Sequence, residues 1–210
     1  MTIVNGTSGG ALVAPRRVDV LADLLPGTLL RDAALVVAGA VLVGICAQVA
    51  VPLPFTPVPL TLQTFGVLLA GAALGWRRGA ASMILYGALG VAGLPWFASH
   101  MGGTAILSYP SFGYVIAFPV AAGLVGWLAG RHCDRSPVRT AAMMIAGSAV
   151  TYAGGLPWLM VNLHVGLAEG LHLGVTPFLP GDAIKALAAA LVLPASWALV
   201  NRRHPSERRD

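Results

Sequence analysis

Residues 33–51 read AALVVAGAVLVGICAQVAV, nineteen positions without a charge, preceded by Arg31 and Asp32. A helix rises about 1.5 Å per residue, so about 20 apolar residues cross about 30 Å of hydrocarbon. Residues 33–51 are long enough to do so. Working outward from this stretch, further charge-free or nearly charge-free runs fall at 60–75, 79–93, 113–130, 140–161 and 184–200. The runs at 60–75 and 79–93 are short, and a buried re-entrant pair is the alternative for them. They flank Trp76-Arg77-Arg78, and paired arginines belong at a membrane face, so six spans are the reading adopted. The expected fold is an all-α integral membrane bundle of six transmembrane helices over residues 31–203. Residues 1–30 and 204–210 read as cytoplasmic tails, the first with a short amphipathic piece around 18–25.

Composition points the same way. The chain is 57% hydrophobic and 10% charged, against about 25% charged for soluble domains, and disorder would need low hydrophobicity and high net charge. The N-terminal stretch carries Arg16, Arg17, Asp19 and Asp23, which is not the pattern of a secretory signal. The formal net charge of +5 reports topology. The twelve arginines fall before the first run, at 77–78, at 131–139 and after the sixth run. With six spans these places share one side, and the positive-inside rule makes it the cytoplasm, with both termini inside. No basic stripe interleaved with aromatics argues for nucleic acid. Cys46 and Cys133 have no metal-ligand spacing, nor do His100, His164 and His172, so neither a metal nor another cofactor is expected.

The external loops are then 52–59, 94–112 and 162–181, all free of arginine. Lys185, the single lysine, lies on that side, three residues after Asp182. Residues three apart share a helix face. An intramembrane ionisable pair is costly and usually functional; an N-cap aspartate with a snorkelling lysine is the structural alternative. Such a pair suits a small ligand with amide-like donors at one point and a carboxylate at another. The stiff, proline-rich loop 52–59, with Phe55 and Thr56, leads into Thr61, Gln63 and Thr64. Gly102-Gly103 offers bare backbone N–H groups to an anion. Tyr86, Trp96, Tyr109, Tyr114 and Trp158 are candidate apolar walls.

The block Val51-Pro52-Leu53-Pro54-Phe55-Thr56-Pro57-Val58-Pro59-Leu60-Thr61-Leu62-Gln63-Thr64 closely resembles the first-loop signature of BioY proteins, the biotin-binding S components of energy-coupling-factor transporters. Leu68-Leu69-Ala70-Gly71-Ala72, Leu74-Gly75-Trp76-Arg77-Arg78-Gly79, Gly93-Leu94-Pro95, Gly113-Tyr114, Gly155-Leu156-Pro157-Trp158 and Phe178-Leu179-Pro180-Gly181-Asp182 with Lys185 are similar to later family blocks, in order. The resemblance runs from about Asp32 to Asn201 and implies a six-helix protein of the bacterial plasma membrane that captures biotin from outside. By similarity, Asp182 accepts from the ureido N–H groups, Lys185 pairs with the carboxylate, and the Phe55-Thr56 loop closes over the rings. His100 and Gly102-Gly103 are further candidates for the carboxylate. The resemblance also implies a transmembrane coupling subunit and two ATPases as partners; this chain has no phosphate-binding Gly-x-x-x-x-Gly-Lys loop of its own. Ala34/Ala38 and Ala40/Gly44 have the small-residue spacing that lets helices approach closely, and S components resemble each other in using such a face against the coupling subunit. An intramembrane serine protease is disfavoured, because Ser82 and Ser148 lack a nucleophile's context. A stand-alone secondary transporter for biotin or another small carboxylate is the alternative function.

Overall fold

The computed structural model describes residues 19–25 and 29–203. Of the tails expected at 1–30 and 204–210, residues 1–18, 26–28 and 204–210 lie outside the described residues, and of the amphipathic piece near 18–25 a single 3-10 turn at Leu21–Leu24 is seen. Among the described residues the architecture is all-α apart from one hairpin of two-residue strands. Helix α1 spans Leu29–Gln48. Strands β1, Ala50–Val51, and β2, Leu60–Thr61, pair antiparallel with Val51 opposite Leu60. They pinch the four-proline loop 52–59 into a closed projection. Helices α2, Gln63–Leu74, and α3, Trp76–Val91, follow, then α4, Phe112–Gly130, and α5, Pro137–Leu163. The short α6, Leu167–Gly174, and the long α7, Leu179–Arg203, are the last described elements.

Four stretches are long and apolar enough to cross a membrane among the described residues: α1, α4, α5 and Leu167–Val200, which takes in most of α7. The two short runs of the sequence become α2 and α3, of 12 and 16 residues, or about 18 and 24 Å. They form a hairpin through Gly75, whose φ of 82° is open to glycine and strained for other residues. The turn is seated on α4 at very close range: a Cβ on Gly126 would lie 2.5 Å from the Gly75 carbonyl carbon, and one on Gly71 would lie 2.5 Å from the Ala122 oxygen. Small residues therefore set the α2–α4 distance.

Helix α7 begins earlier than the run at 184–200 indicates. Pro180 and Gly181, which read as a turn, lie in its first turn, where a proline's missing N–H is not needed. The interior is filled by Val43, Val67, Met83, Phe118, Val125, Met143 and Leu193. Large apolar side chains also cover the outside, with Ile45 63%, Ile145 63% and Leu191 72% exposed. A helix bundle apolar on both its inner and outer faces fits lipid as its solvent.

Candidate binding pocket

One end of the bundle holds a cavity of about 80 Å³, on a scale where a buried water needs about 10–15 Å³. Its walls come from α2, α4, α5 and α7, with Val58 of the proline loop and Phe178 contributing from the segments that cover it. Most of the lining is apolar, including Phe97, Ile106 and Phe118. Against it stands one polar cluster built around Asp182 and Lys185, whose side chains are 14% and 13% exposed.

The helical spacing read from the sequence does place these two side chains together. Lys185 Nζ donates to Asp182 Oδ1 at 3.1 Å and to Thr64 Oγ1 at 2.8 Å. The Tyr152 hydroxyl donates to the other oxygen, Asp182 Oδ2. Three helices thus meet at one ion pair: α2 through Thr64 on Lys185, α5 through Tyr152 on Asp182, and α7 through the pair itself. The Tyr152 ring packs edge-on against Tyr114 at 6.4 Å, and Ser148 and Thr151 continue the polar strip.

Four of the expected binding residues line this cavity: Gln63, Tyr114, Asp182 and Lys185. Gln63 is held from behind, its Nε2 donating to the Tyr86 hydroxyl at 2.9 Å. Tyr86 is therefore a support and not a wall, and Trp96 stacks on Tyr86 with ring centres 5.1 Å apart. Trp158 is likewise set back, packed on Phe112 with its indole N–H donating to the Tyr109 carbonyl at 3.0 Å. Thr56 is buried beside the site; its hydroxyl donates to the Leu173 carbonyl at 2.7 Å and latches the proline loop to the end of α6. The Tyr114 hydroxyl donates to the next carbonyl, Gly174, also at 2.7 Å. Phe55 points outward and is exposed.

His100, Gly102 and Gly103 do not line the cavity. His100 is exposed at φ 58°. A Cβ on Gly102 would sit 2.5 Å from the Leu94 oxygen, so that glycine serves close packing within its loop. The Gly103 N–H already donates to the Gly90 carbonyl at 2.8 Å and is not free for an anion.

The two small-residue pairs on α1 also separate. Ala40 is fully buried, and a Cβ on Gly44 would lie 2.9 Å from the Trp96 ring, so this pair packs internally. Ala34 and Ala38 lie on the exposed face. Sequence reasoning missed Tyr152 as a site residue; its one signal was a hydroxyl inside the apolar run 140–161. Thr64 was noted without a role.

Comparison with known proteins gives this geometry a context. Residues 16–202 match the model of the BioY family. A Pyrococcus horikoshii protein named "Probable biotin transporter BioY" is 37% identical over 162 residues, covering 77% of this chain and 93% of that one. The "Biotin transporter BioY" of Rhizobium etli is 37% identical over 149 residues, covering 68% and 79%. Among solved structures, the S-component for biotin from an ECF-type ABC transporter superposes with a TM-score of 0.72 at 26% identity, covering 81% of this chain and 92% of the other. Four helices able to span a bilayer, a covered pocket at one end and a match along nearly the whole described chain all lead to one assignment: this protein belongs to the BioY family.

Proposed function

We propose that this chain is a transport protein that captures biotin from outside the bacterial plasma membrane and moves it inward as the substrate-specific component of an energy-coupling-factor transporter, energised by a coupling subunit and ATPases. The single observation that carries the reading is a carboxylate and an ammonium in contact at 3.1 Å on the wall of a mostly apolar, covered cavity. Biotin combines an apolar ring system with a cyclic urea, which offers a carbonyl flanked by two N–H donors, and a carboxylate on a flexible chain. Asp182 suits one of the N–H groups and Lys185 the carbonyl beside it.

The contact changes one expected role. A ligand carboxylate placed on Lys185 would lie beside the Asp182 carboxylate, and like charges that close repel. We therefore assign both residues to the ureido end. The ligand carboxylate is left to the side where Ser111 precedes α4, since a helix start favours an anion. The Ala34/Ala38 face of α1, exposed and made of small residues, is the proposed contact for the coupling subunit.

The six-crossing arrangement with both termini inside has geometric support. Arg77, Arg78 and Arg131 line one cleft, and Arg31 and Arg78 share Asp32. That cleft lies at the α2–α3 turn, the far end of α2 from Gln63 and the pocket.

The test is calorimetric binding of biotin and its carboxamide to the purified protein. Lys185→Met is expected to weaken both by a similar factor, about ten- to a hundred-fold, the equivalent of a charge-assisted hydrogen bond of about 1.5–3 kcal/mol. Selective loss for biotin alone returns Lys185 to the carboxylate, and no binding by the wild type removes the reading. Biotin uptake by this chain alone in sealed vesicles, driven by a proton gradient, would favour the stand-alone transporter.

A further inference from the structure

The end of the bundle away from the pocket carries a cleft of about 430 Å³ between the α2–α3 turn and the last turn of α4. Arg77, Arg78 and Arg131 line it, together with Asp19, Asp23 and Asp32. The carboxylates are not shared evenly among the arginines. Arg78 is held by Asp23 at 3.1 Å and by Asp32 at 3.2 Å, and Asp32 also takes Arg31. Arg77 and Arg131 have no carboxylate in ion-pair contact among the described residues. With Arg31 included, four arginines stand against three aspartates, an excess of one positive charge.

Each of the two remaining arginines rests on a tryptophan. The Arg77 guanidinium lies over the Trp76 ring at 4.9 Å, and that of Arg131 over Trp127 at 3.8 Å. A guanidinium points its N–H groups outward in its own plane, so a ring beneath it leaves them open to phosphate oxygens, which it grips with two parallel bonds. Trp76 and Trp127 are both exposed, as tryptophans are at the headgroup level of a bilayer. From there an exposed apolar face leads away along each helix. On α4 it comprises Ile116, Val120 and Trp127, with Arg131 one turn beyond; on α3, Ile84 stands two turns from Arg77 on the same face. The two helices are direct neighbours, since a Cβ on Gly123 would lie 3.8 Å from that of Ala80.

We propose that this cleft binds one anionic phospholipid, its phosphodiester between Arg77 and Arg131 and an acyl chain along Ile84 and Val120. A free phosphate would engage the arginines but not the exposed tryptophans and apolar faces beside them; a lipid accounts for both. A phosphatidylglycerol headgroup carries a single negative charge, matching the excess in the cleft. Basic pockets between membrane helices take such headgroups. The bound lipid ties the α2–α3 turn to the end of α4, whatever ligand the pocket at the other end takes.

The test is native mass spectrometry of the full chain in detergent. It is titrated with phosphatidylglycerol, with phosphatidylcholine of the same acyl chains, and with inorganic phosphate. The wild type is expected to retain one phosphatidylglycerol at least about ten-fold more tightly than phosphatidylcholine. Arg77→Gln or Arg131→Gln alone should weaken phosphatidylglycerol about five-fold, and the two together about twenty- to thirty-fold, with phosphatidylcholine unchanged. Arg139→Gln combined with Arg202→Gln removes the same charge from other exposed arginines and should leave both lipids as in the wild type. Equal retention of the two lipids means ordinary annular contact and overturns the proposal. An equal loss in the Arg139/Arg202 variant means a general charge effect and overturns it too. Inorganic phosphate bound as tightly as the lipid would assign the cleft to a free anion, with the same consequence. Arg77 and Arg131 are exposed, so their variants should melt as the wild type does. If the double variant does not, the single variants carry the test, and wild-type retention of phosphatidylglycerol in both overturns the proposal.

Discussion

Asp182 and Asp134 are both shielded from water at α7, toward opposite ends, and the chain treats them in opposite ways. Trp197, which holds Asp134, lies on α7 about 22 Å beyond Asp182. At the pocket, Asp182 has a cation in contact and a donor on each oxygen. At the other end, Asp134 is fully buried in the 3-10 turn between α4 and α5. Its Oδ2 accepts from the Trp197 indole N–H, while Oδ1 has no hydrogen-bond partner. Burial pushes the Asp134 carboxyl above the ordinary carboxylate range, against the opposing pull of the Trp197 hydrogen bond and of Arg135 and His132 nearby. The Arg135 guanidinium lies over the Trp197 ring at 4.3 Å. One aspartate shares its carboxylate between an ammonium and a hydroxyl on the cavity wall, and the other pins the end of α7 to the α4–α5 turn. The comparison teaches that the partner a carboxylate is given, more than its burial alone, separates a binding role from a structural one.

The largest expected effect concerns the two ends themselves. In a chain with Cys46 and Cys133 replaced by alanine, Ser108→Cys should react fully with an impermeant thiol reagent outside intact cells, and Ser136→Cys should stay unlabelled. The reverse pattern would invert the two ends and end the termini-inside arrangement. Next, Asp182→Ala removes the acceptor proposed for a ureido N–H; a hydrogen bond to a charged group contributes about 1.5–3 kcal/mol net, so biotin affinity should fall about ten- to a hundred-fold. Asp134→Ala should leave biotin affinity within about three-fold while lowering the melting temperature. Equal losses of binding from both would erase the distinction between the ends.

A smaller effect separates the two small-residue pairs of α1. Gly44→Leu forces atoms into the Trp96 ring, and overpacking typically costs about 1–3 kcal/mol, so its melting temperature should drop by several degrees. Ala38→Leu, on the exposed face, should melt like the wild type, and Ala38→Trp should block uptake with binding intact. Loss of binding in Ala38→Trp would place that residue in internal packing.

The smallest effect is a pH slope. A carboxyl whose folded pKa is raised stabilises the protein fully below its unfolded value, about 3.9, and that contribution is lost as pH rises through the folded value. Asp134→Asn keeps an acceptor for Trp197 and carries no charge to desolvate. Melting temperature followed upward from about pH 4 should fall less steeply in Asp134→Asn than in the wild type; parallel curves would show that Asp134 does not titrate differently on folding.

The apolar runs and the one-sided arginines were legible along the chain because both are local: a window of about 20 residues contains the whole signal. The Asp182–Lys185 contact was legible for the same reason, since an i, i+3 spacing fixes a shared helix face wherever the helix lies. Even the family was carried by contiguous blocks. Other expected residues lie away from the cavity, where locality ends. Trp96, His100, Gly102 and Gly103 had suitable chemistry, but a loop's sequence does not state which way it folds, and these residues turned to their own neighbours; Trp158, on α5, packs on Phe112. Ala34/Ala38 and Ala40/Gly44 have the same spacing, and only the rotation of α1 against α3 sends one pair inward and leaves the other outside.

The sequence by itself determined the solvent of this protein, its helical class and the pairing of Asp182 with Lys185. The tertiary structure alone decided what surrounds that pair. Thr64, Tyr152 and Asp182 come from three helices separated by as many as 118 positions in the chain, and no periodicity links them. Their meeting depends on how closely α2, α5 and α7 cross, which only the packing of the whole bundle decides.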